Sequence, residues 1–135
     1  MKILLDTHML LWTLTEDSQL PTKAYEMIKD DENTTFFSSI SIWEIAIKRL
    51  VHPGKITTLT PQELVALSEN ANMSELYLKT KHTYLLETLT RPDNAPPHKD
   101  PFDRILIAQA KSEGMTFLTH DALLPYYNEP CIVYV

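Results

Sequence analysis

The sequence predicts an α/β fold in which a mainly parallel sheet of about five strands is flanked by helices. The first observation is a series of short apolar runs, such as MKILLD at Met1–Asp6 and MTFLT at Met115–Thr119, which are typical of buried strands. The second is that helix start signals and helically spaced apolar residues separate these runs. Because strands and helices alternate along the whole chain, residues 1–135 are interpreted as a single domain.

The N-terminal part of the chain is predicted to contain the first two strands. We expect the helix after the second strand to bury Ile45, Leu50 and Val51. Trp12 and Trp43 are expected to pack in the core rather than to stack on nucleobases. In order, the predicted elements are a strand at Met1–Asp6, a helix from Thr7 or His8 to Trp12 or Leu14, a helix from Pro21 to about Lys29, a strand at Thr35–Ser38 and a helix that ends at His52-Pro53-Gly54.

The C-terminal part is predicted from its helix caps and its turn residues. Thr60 and Glu63 have the spacing of a capping box, and Gly114 suits a left-handed C-terminal cap. Arg91–Lys99 holds three prolines without periodicity and is predicted to be a loop that borders a site. In order, the predicted elements are a helix from Thr60 to about Asn70, a strand at Glu75–Lys79, a helix at Lys81–Leu89, a helix from Pro101 to Gly114, a strand at Met115–Thr119, a short helix at about Ala122–Tyr127 and a strand at Cys131–Val135.

Composition is that of an ordinary globular protein, with 44% hydrophobic and 22% charged residues. The apolar N-terminal residues are interrupted by Asp6-Thr7-His8 and are too few for a signal peptide or a membrane span, so we expect a cytoplasmic protein. Cys131 is the single cysteine, which excludes an internal disulfide, and it is expected to be a small buried side chain. The net charge of −6 argues against coating nucleic acid through bulk electrostatics, but it permits local phosphate binding beside metal ions.

The stretch HKDPFDRILIAQA, at His98–Ala110, brings two carboxylates to the start of a buried helix. Pro101 suits the first helical position, and Asp100 before it can accept hydrogen bonds from the free amides of the first turn. A helix cap is therefore a sufficient explanation for Asp100. Asp103 also suits the helix dipole, so its significance depends on whether acids from distant parts of the chain reach the same place.

Four acids are predicted to meet at one edge of the sheet. Asp6 ends the first strand and Asp121 follows the fourth, while Glu44 and Asp103 lie near the starts of helices just beyond that edge. Glu44 has an equally good structural explanation, as the acid of a capping box with Ser41. Crowded carboxylates raise each other's pKa unless a counter-charge is present, and oxygen ligands favour Mg²⁺ or Mn²⁺ over zinc. Such ions can activate water to hydrolyse a phosphodiester.

Four blocks of sequence resemble the PIN-domain ribonucleases, and most closely the VapC-type toxins of bacterial toxin–antitoxin pairs. They are LLDTHMLLW at Leu4–Trp12, SSISIWEIAIK at Ser38–Lys48, HKDPFDRILIAQA at His98–Ala110 and FLTHDALL at Phe117–Leu124. The resemblance spans nearly the whole chain and implies a PIN-like domain. It implies a metal-dependent endoribonuclease that uses metal-activated water to cut RNA, leaving a 3′-hydroxyl and a 5′-phosphate.

The resemblance also implies the roles of individual residues and the partners. It implies Mg²⁺ as the cofactor, with Mn²⁺ as a substitute, RNA as the substrate, a cognate antitoxin that covers or enters the acidic site, and a homodimer. The residues that correspond to the catalytic and metal-binding acids of the family are Asp6, Glu44, Asp103 and Asp121, and the residues in supporting positions are Thr119, Thr7 and Asp100.

Basic and imidazole side chains near the acids give further expectations. Arg104, Lys48 and Arg49 are the candidates for contact with RNA phosphates, of which Arg104 is favoured by its place beside Asp103. His98 and His120 flank the acids in sequence and are expected to be loop or supporting residues, because a metal mechanism needs no general base.

Two other functions are compatible with parts of the pattern. A magnesium-dependent phosphatase or receiver domain also places an Asp after its first strand, but the phosphatase needs a second Asp where this chain has His8, and the acidic pair and late lysine of a receiver are missing. The other is a non-catalytic PIN-fold binding subunit, which the presence of all four acids disfavours.

Overall fold

The structure, a computed structural model that describes residues 1–135, is built on one sheet of five strands in the order β3-β2-β1-β4-β5. Each neighbouring pair of strands is parallel, which confirms the predicted fold class. The strands are β1 (Lys2–Leu5), β2 (Thr34–Ser38), β3 (Ser74–Leu76), β4 (Thr116–Thr119) and β5 (Ile132–Tyr134).

Helices lie in the connections between β1, β2, β3 and β4. Two short 3-10 turns lie at Leu86–Thr88, within the connection from β3 to β4, and at Leu124–Tyr127, between β4 and β5. None of the helices has the length and apolar character that a membrane crossing requires. The helices are α1 (Thr7–Leu14), α2 (Thr22–Lys29), α3 (Ser39–Val51), α4 (Pro61–Asn70), α5 (Thr80–Thr83) and α6 (Pro101–Glu113).

The core lies on both faces of the sheet, because successive side chains of a strand point to opposite faces. Leu4 of β1 packs in one apolar cluster with Leu106 of α6. Ile3 and Leu5, its neighbours in the strand, pack in a second cluster with Leu10 of α1. All five side chains are fully buried, and each such burial contributes about 1.5–3 kcal/mol. The central strand therefore fixes the position of the residue that follows it, Asp6.

The order of the strands explains where the site forms. The chain passes from β1 through β2 to β3 on one side, and it then crosses back to place β4 on the other side of β1. In parallel α/β sheets, ligands bind outside the carboxyl ends of the strands at the point where the direction of winding reverses. Asp6 and Thr119 stand at this point, at the ends of two neighbouring strands.

The helix caps agree with the sequence-based prediction. Thr60 and Glu63 form the capping box of α4, with both reciprocal hydrogen bonds at 3.1 Å. Gly114 ends α6 in the left-handed conformation, at φ 66°. The interpretation of Glu44 as a capping residue is wrong, because Ser38 is the N-cap of α3 and Glu44 lies beyond the first turn of the helix.

Several predicted elements differ from the structure. The third strand ends at Leu76 rather than at Lys79, and the predicted helix at Lys81–Leu89 is divided into α5 and a 3-10 turn. The predicted segment contains Thr83 and Thr88, whose β-branched side chains favour helix only weakly.

Three apolar residues of α3 are less buried than predicted. Leu50 and Val51 are 82% and 60% exposed, because they lie in the last turn of α3, beyond the part that the other helices cover. Trp43 is 55% exposed and packs edge to face against Phe102 at 5.1 Å rather than entering the core. Cys131 is half-buried beside the core, and burial raises the pKa of its thiol.

Candidate active site

A cleft of about 310 Å³ opens at the carboxyl edge of the sheet, between α1, α3, the start of α6 and the segment that follows β4. Five carboxylates and a single lysine contribute to its lining. The cleft therefore contains every acid that the sequence assigned to the site, although the acids come from four distant parts of the chain. The lining residues are Asp6, His8, Met9, Trp12, Glu44, Lys48, Asp100, Asp103, His120 and Asp121.

Asp6 follows β1 directly and is the N-cap of α1. Its Oδ1 accepts a hydrogen bond from the Thr7 amide at 2.7 Å, and its Oδ2 accepts one from the Thr119 hydroxyl at 2.6 Å. Burial raises the pKa of Asp6, these two hydrogen bonds lower it, and the charge of Glu44 raises it, with a net increase. The carboxylate is thus held rigidly in a place where its negative charge is costly.

Glu44 is almost fully buried and lies on α3 with its carboxylate toward α1. Its Oε1 accepts a hydrogen bond from the Thr7 hydroxyl at 2.7 Å, and its Oε2 forms an ion pair with Lys48 at 2.6 Å, one helical turn away. The hydroxyl of Thr7 is also 2.9 Å from that of Ser41. Thr7 therefore joins the acids of α1 and α3, since its amide donates to Asp6 and its hydroxyl to Glu44.

Asp100 and Asp103 lie at the start of α6. Asp100 is the N-cap and accepts hydrogen bonds from the Phe102 and Asp103 amides at 2.9 and 3.3 Å, and it also lines the cleft. Asp103 is 8% exposed, and its pKa is raised to about 8, first by burial and then by the charges of Asp6, Asp100, Glu44 and Asp121. Of the acids in the cleft, Asp103 is the one whose charge is least compensated by the protein.

Asp121 follows β4 and is partly exposed. Its amide donates to the Thr119 hydroxyl at 3.0 Å, while its Oδ1 accepts from the Leu123 amide at 2.9 Å. The hydroxyl of Thr119 therefore links Asp121 to Asp6, to which it donates its own hydrogen. The supporting role that the resemblance implied for Thr119 is consistent with this position.

The basic residues proposed for phosphate contact occupy three different places. Lys48 lines the cleft and forms an ion pair with Glu44. Burial lowers the pKa of Lys48, but Glu44 and the other nearby acids together raise it more, so the net shift is upward. Arg104 stands beside Asp103 and donates to the Tyr127 hydroxyl and the His98 carbonyl at 2.9 and 2.8 Å. Arg49 is not in the cleft. It donates to the carbonyls of the loop after α3, at Thr57 and Leu59. Of these three residues, the structure brings Lys48 and Arg104 close to the acids and places Arg49 elsewhere.

One buried imidazole contacts the acids in a way that the sequence did not reveal. His98 is 7% exposed, its Nε2 is 3.0 Å from Oδ2 of Asp103, and its Nδ1 is 2.6 Å from the hydroxyl of Tyr127. His98, Asp103 and Asp121 each offer a ligand atom within 4.8 Å of the others. Tyr127 is separated from His98 by 29 positions in the sequence, so only the fold shows their contact. His120, in contrast, is exposed and lies against Trp12 at the rim of the cleft.

A larger cavity, of about 730 Å³, lies elsewhere, between α1, α2 and the end of α4. About half of its lining residues are apolar, among them Leu14, Leu20 and Met73, and the others are polar or charged. It contains no group of converging carboxylates that could bind a cation, so we assign the chemistry to the smaller cleft.

Comparison with known families agrees with this arrangement of acids on this sheet. The sequence profile of the PIN domain matches residues 3–128. The chain belongs to the PIN domain family. Within this PIN domain, the matched region includes all of the acids that line the cleft, from Asp6 to Asp121.

Solved structures with a similar fold include two assemblies bound to DNA. One is VapBC2 from Rickettsia felis with a fragment of its promoter, where the match has a TM-score of 0.64 and 16% identity and covers 100% of this chain and 98% of that chain. The other is VapBC from Salmonella typhimurium, with a TM-score of 0.62, 18% identity and coverage of 100% and 97%. At such identities the similarity concerns the fold of the PIN domain. Comparison with curated proteins gives no significant match.

Proposed function

We propose that this PIN domain is a metal-dependent endoribonuclease and acts as the toxin of a toxin–antitoxin pair. The observation that supports this proposal best is the convergence of five carboxylates with a single ammonium group in one cleft. No arrangement of hydrogen bonds within the protein neutralises these charges. Burial, and after it the four neighbouring carboxylates, raises the pKa of Asp103 to about 8. A bound divalent cation would compensate these charges.

The donor set fits Mg²⁺ or Mn²⁺. All five acids offer oxygen atoms, and hard cations prefer oxygen ligands. We assign the metal to Asp6, Glu44, Asp103 and Asp121, with Asp100 kept mainly as the cap of α6. When bound, Mg²⁺ supplies Lewis acidity toward water and toward the scissile phosphodiester.

The residues of the chain orient these ligands and bind the substrate. Thr7 and Thr119 hold the Asp6 carboxylate at the wall of the cleft through two short hydrogen bonds. Lys48 pairs with Glu44 at the wall of the cleft, where its ammonium can also meet a phosphate of the RNA. Arg104 has two hydrogen bonds to neighbouring residues and is exposed, so we assign it the second phosphate contact. Arg49 would meet the RNA only beyond the cleft.

We also propose an antitoxin partner and a homodimer. The expectation of a protein partner follows from the two VapBC assemblies of similar fold. The expectation of a dimer is supported by large apolar side chains that α3 leaves exposed, among them Trp43, Leu50 and Val51. Light scattering on the purified protein should give the mass of a dimer at micromolar concentration, and a monomer there would remove the dimer from the proposal. The single cysteine supports action in a reducing compartment such as the cytoplasm.

The proposed activity is tested with total cellular RNA. Wild type and Asp6→Asn are incubated with Mg²⁺, with Mn²⁺ or with chelator, and the new 5′ ends are mapped. We expect discrete cuts that require both metal and Asp6. Asp31→Asn is the matched control, because it makes the same change at an exposed acid far from the cleft.

The outcomes separate catalysis from binding alone. If wild type and Asp6→Asn are both folded and give identical RNA patterns, the enzyme proposal fails, and the non-catalytic PIN-fold subunit becomes the better explanation. If the cuts persist in chelator, the metal assignment fails.

A further inference from the structure

A chain of hydrogen bonds runs behind the acid cleft and ends on Asp103. It joins Arg104 to Tyr127, Tyr127 to His98 and His98 to Asp103, over distances of 2.9, 2.6 and 3.0 Å. We propose that His98, oriented by Tyr127 and Arg104, is a positioning residue that directs one oxygen of Asp103 into the cleft for cation binding. This inference rests on the proposed function, in which Asp103 is a metal ligand.

The direction of each hydrogen bond follows from the residue types. Arg104 can only donate, so the Tyr127 oxygen accepts from its Nε. Tyr127 is 2% exposed, and its own hydrogen has one acceptor within reach, Nδ1 of His98. A buried hydroxyl without an acceptor would cost about 1–3 kcal/mol, so Tyr127 donates to Nδ1. The neutral ring of His98 must then have its hydrogen on Nε2, which donates to Oδ2 of Asp103.

The consequence for Asp103 is that its two oxygens have different tasks. Oδ2 is occupied by the imidazole N–H, and Oδ1 is the oxygen left for the cleft. A carboxylate held in this way keeps its orientation when the cation leaves, so less conformational freedom is lost when the cation binds. Asp6 and Glu44 are oriented by hydroxyl groups instead, through Thr119 and Thr7.

His98 is itself held at several points, which a loop residue without a role would not require. Arg104 donates to its backbone carbonyl at 2.8 Å, and the ring meets the Tyr127 ring edge to face at 5.3 Å. The guanidinium of Arg91 lies over the ring of Tyr127, 5.3 Å from its centre. His98 lies in the proline-rich segment Arg91–Lys99, which contains no helix or strand, so the contacts from Arg104 of α6 and from Tyr127 hold its imidazole in place.

The competing assignment is that Nε2 of His98 binds the cation directly, together with Asp103 and Asp121. The two assignments require opposite forms of the ring, because a ligating Nε2 has no hydrogen. Nitrogen NMR of the wild-type protein with ¹⁵N-labelled histidine distinguishes them without any measurement of cleavage. We expect His98 to keep the Nε2–H form in metal-free protein and at saturating Mg²⁺. An Nδ1–H form, or loss of the Nε2 hydrogen when Mg²⁺ is added, would overturn the proposal.

Variants test whether the chain acts on metal binding. Tyr127→Phe removes the hydroxyl that orients His98, and Tyr126→Phe makes the same change at the neighbouring, 42% exposed tyrosine. We expect Tyr127→Phe to weaken Mn²⁺ binding about 10-fold or more, the usual effect of losing a contact that orients a metal ligand. Tyr126→Phe should bind Mn²⁺ like wild type. An unchanged Mn²⁺ affinity in folded Tyr127→Phe contradicts the proposal.

A pair of His98 variants separates positioning from packing. The amide nitrogen of Gln can replace Nε2 as a donor, so His98→Gln should retain more Mn²⁺ affinity than His98→Ala. Equal losses in the two folded variants would mean that the donor is irrelevant. These binding measurements are independent of the test of the proposed function. If the wild type cleaves no RNA, the nuclease proposal fails, but the NMR and Mn²⁺-affinity measurements still decide the role of His98.

Discussion

Asp103 should make the stability of the metal-free protein fall as the pH rises toward 8. Its pKa is raised from 3.8 to about 8, first by burial and then by four neighbouring carboxylates. Between these two values the folded protein holds a proton that the unfolded chain has released. The free energy of unfolding therefore decreases with increasing pH across this window and levels off above about 8. Asp6, whose pKa is also raised, adds an effect of the same sign.

The size of the change in the free energy of unfolding follows from the pH range over which it is measured. Below the ordinary pKa of histidine, 6.5, His98 contributes in the opposite direction, because burial lowers its pKa. Between pH 6.5 and pH 8, Asp103 alone should reduce the free energy of unfolding by about 1.5–2 kcal/mol, since each pH unit is worth about 1.4 kcal/mol. Asp103→Asn removes the titrating group and keeps the shape of the protonated acid, so most of this slope should disappear.

Urea denaturation of metal-free wild type and Asp103→Asn at several pH values measures the effect. Asp93→Asn is the control, because Asp93 is an exposed acid in the loop before α6. If wild type and Asp103→Asn show the same dependence on pH, the uncompensated charge is not at Asp103. If wild-type stability rises over this window, the electrostatic reasoning is wrong in sign.

Three further predictions concern the metal and two single residues. Mg²⁺ at about 100 times its dissociation constant should stabilise the wild type by about 2.7 kcal/mol in a denaturation experiment, and Asp103→Asn should lose most of this gain; stabilisation of both to the same extent would place the ion elsewhere. Thr119→Val removes a donor to Asp6 and an acceptor for the amide of Asp121, so unfolding should become easier by about 1–3 kcal/mol, with Thr119→Ser close to wild type. Gly114→Ala should cost about 1 kcal/mol, because φ is 66° there while no neighbouring atom meets the new methyl group; no loss of stability would refute the left-handed cap.

The sheet and the acids could be predicted because both depend on local pattern. Apolar runs identified four strands to within about two residues, and parallel topology brings the ends of such strands to one edge. Asp6 and Asp121 therefore required no knowledge of side-chain packing. Glu44 required more, because its spacing from Ser41 also suits a helix cap, and only the start of α3 at Ser39 excludes that role.

The errors and omissions concern contacts between distant residues. Whether Trp43 is buried depends on which helix covers α3, and no periodicity within α3 contains that information. The hydrogen bonds of Arg104 to Tyr127 and His98 were equally hidden, because the loop that brings them together has no regular structure. A basic residue beside an acid in sequence suggested phosphate binding, whereas the fold also gives Arg104 a second task within the protein.

The acids of the cleft differ in how the protein compensates them, and this difference locates the place where a cation matters most. Asp6 receives an amide and a hydroxyl, and Glu44 receives a hydroxyl and an ammonium. The side chain of Asp103 receives only the imidazole N–H, while four other carboxylates raise its pKa. Loss of the Asp6 or Glu44 contacts should therefore damage the fold as well as the site. Replacing the ionisable group of Asp103 should instead relieve the metal-free protein and weaken the metal-bound one. Burying the Asp103 carboxylate is unfavourable without a cation, and only the cation compensates it fully. Cation binding at this site is therefore coupled to the stability of the fold.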